Sequence, residues 1–303
     1  MSGYHIPVLL KESIDGLNID PGGIYVDVTF GGGGHSREIL NRLKKGKLVA
    51  FDQDLDSKEN ILDDTCLVFV RQNFKFLKNN LRYLGIEKIN GLIADLGVSS
   101  HQFDLAERGF SFRGNGPLDM RMNQNAEYSA RDVIMDFAEE DLAFLFWSYG
   151  EIKNSRALAS LIVQQREGKN IDTIEKFLNV IESRVPKKNS NKYLAKVFQA
   201  IRIEVNKELD SLKSLLMQTQ EIIMESGRLV VITYHSLEDR LVKNFIKYGD
   251  FKPTDTSDLY GNVLCPFKSV NRHVIVPDEN EINRNPRARS AKLRIASRTN
   301  YEA

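Results

Sequence analysis

The chain has 303 residues, 42% hydrophobic and 27% charged, with a formal net charge of +1. This is the composition of a soluble globular protein of two domains, and it excludes a generally basic nucleic-acid binder, so any nucleic-acid contact has to be local. No apolar run approaches the roughly 18 to 20 residues of a membrane helix, and Met1 to Lys11 lacks the pattern of a signal peptide, so the expected location is the cytoplasm, away from membranes.

In chain order, Tyr4 to Leu10 reads as an extended entry, because Pro7 argues against a helix through it. A short helix with Ile14 and Leu17 inward follows, then a Pro21-Gly22-Gly23 turn. Ile24 to Phe30 is rich in β-branched and aromatic residues and reads as a buried strand. It runs into Gly31-Gly32-Gly33-Gly34-His35-Ser36, where four successive glycines let the main chain take positive φ and let a ligand approach it. Ile39, Leu40 and Leu43 then recur at helical spacing. Strand, glycine turn and helix together form the first unit of a nucleotide-type α/β site, with the ligand at the carboxyl end of the strand.

The second strand, Lys47 to Phe51, ends at Asp52, about 20 residues past the glycines, the usual offset of an acid that binds ribose hydroxyls. A dinucleotide fingerprint needs a third glycine or alanine where this chain has Ser36. The pattern therefore favours a ribose-bearing ligand without a pyrophosphate, namely S-adenosylmethionine. A glycine turn without a ligand stays open as the alternative. The third strand, Cys66 to Val70, leads to Phe74, placed either to stack on an adenine or to pack in the core. Cys66 and Cys265 lie far apart without ligand spacing, so neither a disulfide framework nor a metal site is expected. The fourth strand, Ile89 to Ala94, ends in Asp95-Leu96-Gly97-Val98-Ser99-Ser100. There an acid and a small-residue loop can face donor and substrate, or Asp95 can simply cap the turn.

From Ser129 to about Val205 the apolar residues recur only at helical spacing. The reading is an inserted all-helical substrate-recognition domain over 106–205, between two parts of an α/β core, 1–105 and 206–303. Leu209, Leu212, Leu216 and Ile223 mark a helix ended by Gly227. Leu229 to Tyr234 is a fifth strand, and His235-Ser236-Leu237-Glu238-Asp239-Arg240 opens the next helix. His273 to Val276 and Ala291 to Ala296 read as closing strands, the second with Lys292 and Arg294 facing out. Two basic patches stand out. One has Arg184, Lys187, Lys188, Lys192 and Lys196; the other has Arg284, Arg287, Arg289, Lys292, Arg294 and Arg298.

Several long motifs then carry a resemblance. They are Tyr4-His5-x-Pro7-Val8-Leu9-Leu10, the Gly31 to His35 turn, Asp95 to Ser100, Glu107-Arg108-Gly109-Phe110-Ser111-Phe112 and Gly116-Pro117-Leu118-Asp119-Met120-Arg121-Met122. Phe198-Gln199-Ala200-x-Arg202, His235 to Arg240 and Asn285-Pro286-Arg287-Ala288-Arg289-Ser290 complete the set, in matching order from Tyr4 to Thr299. With these the chain resembles the bacterial 16S rRNA cytosine-N4 methyltransferases, the small-subunit methyltransferase H family. The resemblance implies a class I, Rossmann-like methyltransferase core with an inserted helical domain, S-adenosylmethionine as donor and a decoding-centre cytidine as acceptor. It also implies donor contacts at Gly33, Gly34, His35, Asp52, Phe74, Asp95 and Gln102, the last added by the resemblance alone. The stretch from Gly249 to the basic turn before the final strand is short and departs from the family, which bears on contacts to RNA at the rim.

A cytosine amine is a poor nucleophile because its lone pair is delocalised into the ring. The chain must hold it in line with the methyl group and offer an acceptor for an amine proton. Asp95, Ser99 and His235 are the candidate catalytic residues, with His235 equally readable as a helix-opening residue. Methylation at C5 is excluded, since it needs a cysteine nucleophile facing the donor. Arg184, Lys187, Lys188, Arg287 and Arg289 are the candidate RNA contacts. The expected partner is 16S rRNA within the small ribosomal subunit, with no obligate protein partner. The alternative is a non-catalytic RNA-binding or donor-sensing module.

Overall fold

The computed structural model describes residues 7–253 and 265–301. The first residues of the extended entry, Tyr4 to Ile6, lie outside the described residues. The chain divides into two compact units, one of residues 1–97 and 209–303, the other of residues 98–208. The helical unit thus takes in 98–105 and 206–208, which hydrophobic spacing alone assigns to the core.

The first unit is built on seven strands: β1 Ile24–Asp27, β2 Lys47–Phe51, β3 Leu67–Val70, β4 Ile89–Asp95, β5 Ile223–Thr233, β6 Phe267–Ser269 and β7 Lys292–Arg298. Their order is β3-β2-β1-β4-β5-β7-β6. β1 to β5 pair in parallel, while β7 runs antiparallel to both β5 and β6. The order reverses between β1 and β4, and that is the switch point at which open α/β sheets bind ligands.

Each central strand is apolar on both sides, as a parallel sheet covered on both faces requires. Val26, Val49, Leu92 and Val231 enter one core together with Leu77, Leu215, Val242 and Phe245. Their chain neighbours Tyr25, Leu48, Ile93 and Val230 enter the other, with Ile14, Leu17, Ile39 and Leu293. Helices α1 Leu10–Leu17 and α2 Gly34–Arg42 thereby cover one face. The other is covered by α3 Leu77–Tyr83, by α10 Glu208–Ile222 and by α11 Ser236–Tyr248.

Two elements differ from the expectation. The helix before β5 stops at Ile222, not at Gly227. Ser226 takes φ of 63°, and the register to β4 jumps from Ile89↔Ile223 to Gly91↔Arg228, so Met224 to Gly227 bulge out of the pairing. The outer closing strand is Phe267–Ser269 rather than His273–Val276. The latter makes only a single bridge, Ile275↔Leu293, because the outer edge of β7 is already shared with β6.

The second unit holds α4 Ser100–Asp104, α5 Ala130–Asp136, α6 Glu139–Ser148, α7 Ser155–Arg166, α8 Ile174–Ile181 and α9 Ser190–Asn206. Its own core joins Val133, Ile134, Phe146, Leu158, Ile162, Phe177, Phe198 and Ile201. Capping boxes at Ser99/Gln102 and Ser129/Asp132 open α4 and α5. One more short helix, α12 Glu279–Arg284, leads into the basic turn before β7.

Candidate active site

The glycine turn connects β1 to α2 and sets the geometry of the helix start. Gly33 is the N-cap of α2 with φ of 73°, and as a glycine it lends no side chain to cap the helix, which leaves the first-turn amides open to a ligand. A Cβ at Gly34 would overlap Pro7 Cγ, so only glycine lets the entry segment pack against the helix start. Ser36, where a dinucleotide site would have glycine or alanine, is fully buried. Its hydroxyl donates to Asp27 Oδ2 at 2.7 Å.

Three carboxyl groups gather at the carboxyl ends of adjacent strands: Asp27 on β1, Asp52 after β2 and Asp95 on β4. Asp52 Oδ2 accepts the Gly31 amide and Oδ1 the Asp54 amide, both at 2.8 Å. The acid thus braces the glycine turn while each oxygen keeps a lone pair for a ligand. Asp27 Oδ1 accepts the Thr29 amide at 3.0 Å. The Thr29 hydroxyl in turn accepts the Asp95 amide at 2.7 Å, which ties the ends of β1 and β4 together. Asp95 Oδ1 accepts the Tyr234 hydroxyl at 2.7 Å, and Oδ2 lies 3.9 Å from His35 Nδ1. The other His35 nitrogen, Nε2, donates to the Val8 carbonyl at 3.2 Å.

Burial pushes all three carboxyls up. Asp52 rises to about 6, with its two backbone donors opposing and Asp54 and Asp27 adding to the rise. Asp95 also rises to about 6 through burial, opposed by His35 and the Tyr234 hydroxyl. Asp27 is raised by burial too, against His35, Ser36 and Thr29. Among the described residues no lysine or arginine pairs with any of the three. Three adjoining acids with no lysine or arginine beside them suit a ligand that brings its own positive charge.

Phe74 follows Asn73, whose side chain caps the turn after β3, and its half-buried ring packs on the sheet core. Ser99 and Gln102 belong to the helical unit. Ser99 Oγ accepts the Gln102 amide at 3.2 Å, and Gln102 Oε1 accepts the Ser99 amide at 3.0 Å. Ser99 is therefore an N-cap. His235 caps α11: its Nδ1 accepts the Glu238 amide at 3.4 Å, and Nε2 lies 3.2 Å from Glu238 Oε1. That arrangement makes Nε2 the protonated nitrogen, so His235 presents a donor rather than a proton acceptor.

Of the basic candidates, Arg184, Lys187 and Lys188 are exposed on the helical unit, and Arg287 and Arg289 are exposed on the turn before β7. Arg284 of the second patch is exposed as well, while Lys292, Arg294 and Arg298 make internal bonds. Lys292 and Arg294 stay partly exposed, as strand alternation predicts, but they bond Asp239 at 3.3 and 2.8 Å. Burial opposes it, but Arg294 and then Lys292 hold the Asp239 carboxyl below its ordinary value. Arg298 donates to the carbonyls of Gln220, Pro266, Thr299 and Tyr301. Sequence reasoning also missed Asp27 and Tyr234. A charged residue inside the run Val26-Asp27-Val28 was the available signal, because a buried carboxylate needs partners.

The strand order, the antiparallel β7 and the acids around the glycine turn define a class I, Rossmann-like methyltransferase. The chain matches the model of the MraW methylase family over residues 2–299 and belongs to that family. It is 58% identical over 296 residues to a protein of Bacteroides fragilis named Ribosomal RNA small subunit methyltransferase H, covering 97% of each chain. A protein of the same name from Cytophaga hutchinsonii is 52% identical over 297 residues, covering 97% of this chain and 99% of that one.

Proposed function

We propose that this protein is an rRNA methyltransferase that moves the methyl group of S-adenosylmethionine to the exocyclic N4 of a cytidine in the decoding centre of 16S rRNA. The observation that carries the reading is identity of 52 to 58% over nearly the whole chain to relatives named for methylation of small-subunit rRNA. The site's chemistry supports the donor. Its sulfonium and ammonium charges match the three acids, its ribose hydroxyls have an acceptor in Asp52, and Gly33 and Gly34 offer it main-chain amides at the start of α2. His35, Phe74 and Gln102 complete the proposed donor contacts.

S-adenosylmethionine supplies the electrophilic methyl carbon. The chain's own part is to orient and to accept. Asp52 holds hydroxyls, and Asp95 accepts a hydrogen bond from the cytidine amine, which drives the nitrogen toward sp3 as it attacks. Asp95 is preferred over Ser99, whose hydroxyl oxygen caps α4, and over His235, whose acceptor nitrogen is occupied. The target base has to leave its stack to reach this point. Arg184, Lys187, Lys188, Arg287 and Arg289 are the proposed phosphate contacts, the helical unit the substrate-recognition domain, and the small ribosomal subunit in the cytoplasm the proposed setting.

The test is methylation of small subunits from cells lacking this gene, with mass mapping of the rRNA. One methyl group on the N4 of a decoding-centre cytidine is the expected product. Donor binding with no transfer would instead mark a donor-sensing module.

A further inference from the structure

Tyr234 follows the last residue of β5, and its backbone amide donates to Glu238 Oε2 at 3.0 Å. The ring lies against Gly97, where a Cβ would come within 3.4 Å of its Cδ2. Ring and backbone are therefore both fixed before the hydroxyl reaches Asp95. We propose that Tyr234 is a positioning residue for Asp95, its hydroxyl holding one carboxylate oxygen at 2.7 Å so that the other stays directed at the first turn of α2. The inference rests on the reading that Asp95 faces the donor and the amine.

The groups facing Asp95 leave this task to Tyr234. Asp27 on β1 and Glu238 on α11 are anions that disfavour its charge, and His35 on α2 stands 3.9 Å away, beyond hydrogen-bond reach. Thr29 reaches only the Asp95 backbone amide. The Tyr234 hydroxyl is thus the side-chain donor in direct contact with the carboxylate. It stabilises the ionised form that a cationic donor requires, against burial and two neighbouring acids.

Tyr234→Phe removes one oxygen and keeps the ring. Donor affinity is measured by calorimetry with S-adenosylmethionine at pH 6 and pH 8, alongside the melting temperature. Without the hydroxyl the carboxyl titrates higher, so the variant is expected to bind about tenfold more weakly than wild type at pH 6. Near pH 8, where both proteins are ionised, the gap should narrow to about threefold or less. His35, Asp27 and Glu238 are common to both proteins, so the difference reports the lost bond. Equal loss at both pH values together with a lowered melting temperature marks a packing defect and overturns the proposal. So does unchanged binding, provided Asp95→Asn weakens it. If Asp95→Asn also leaves donor affinity intact, it is the placement of Asp95 in the site that fails, and the proposal with it.

Discussion

Asp95 shows how a single side chain is held in an unfavourable state for use. Its carboxyl titrates near 3.9 in an unfolded chain and is raised to about 6 in the fold. A raised acid binds its proton more tightly when folded, so its stabilising contribution is complete below about pH 4 and is lost as pH rises through about 6. At pH 7.5 the ligand-free protein therefore carries a destabilising charge of up to about 3 kcal/mol. Asp95→Asn keeps the shape and can still accept the Tyr234 hydroxyl. It is expected to raise the melting temperature of the ligand-free protein at pH 7.5, and to lower methyl transfer by roughly two to three orders of magnitude with saturating donor. Near wild-type turnover in this variant would falsify the acceptor role. Asp52→Ala is expected to weaken the donor about ten- to a hundredfold in calorimetry, through loss of a charged hydrogen bond to a ribose. Unchanged affinity would sink that role. Asp52 and Asp95 were legible because they end strands in a recognisable βαβ order. Asp27 was hidden because Ile24 to Phe30 reads as one continuous strand whereas β1 ends at Asp27, and its partners Thr29 and Ser36 are joined to it by a turn rather than by a spacing rule.

Among the elements, the turn from β1 to α2 carries the tightest constraint. Gly34→Ala would drive a methyl group into Pro7, so the entry segment or the helix start has to move. Overpacking of this kind costs about 1 to 3 kcal/mol. The expected result is a lower melting temperature together with weaker donor binding, because the displaced amides are those proposed to meet the donor. Gly85→Ala is the contrast: that glycine has φ of 71° but nothing within 4 Å of an added Cβ, so only the backbone term applies and donor binding should not change. Wild-type donor affinity in Gly34→Ala would show that the turn does not touch the donor. The strands of the sheet could be read from the sequence because a doubly covered parallel strand is an apolar run bounded by turn residues. The outer strand could not. Val274-Ile275-Val276 has the stronger β composition, yet Phe267–Ser269 takes the edge because Phe267 is buried beside Phe245 and anchors the pairing to β7.

For the molecule as a whole, charge is the property that decides how RNA is met. The formal net charge is +1, so the chain has no global field to draw in a polyanion, and contacts with phosphates have to come from particular side chains. The insertion itself was visible as a change of hydrophobic period from strand-like to helical, but its boundary was not, since 98–105 is a short capped helix without an apolar stripe. The basic patches likewise looked equal in sequence. In the fold, Lys292, Arg294 and Arg298 bond Asp239 and backbone carbonyls, and the exposed members of the patch are Arg284, Arg287 and Arg289. The second patch is therefore narrower than its composition suggests, and its contribution to RNA binding becomes countable. Each phosphate neutralised releases counterions, so the slope of log affinity against log salt falls by roughly 0.7 to 0.9 for each contact removed. Arg287→Gln with Arg289→Gln should flatten that slope by about 1.4 to 1.8 on small-subunit rRNA. Donor affinity should be unchanged, because neither side chain is among the proposed donor contacts. Lys292→Gln with Arg294→Gln removes the same formal charge from side chains that pair with Asp239. It should leave the salt slope close to wild type and lower stability instead, by unpairing Asp239. Equal flattening by the two double variants would mean that net charge, not the exposed turn, governs the encounter with RNA.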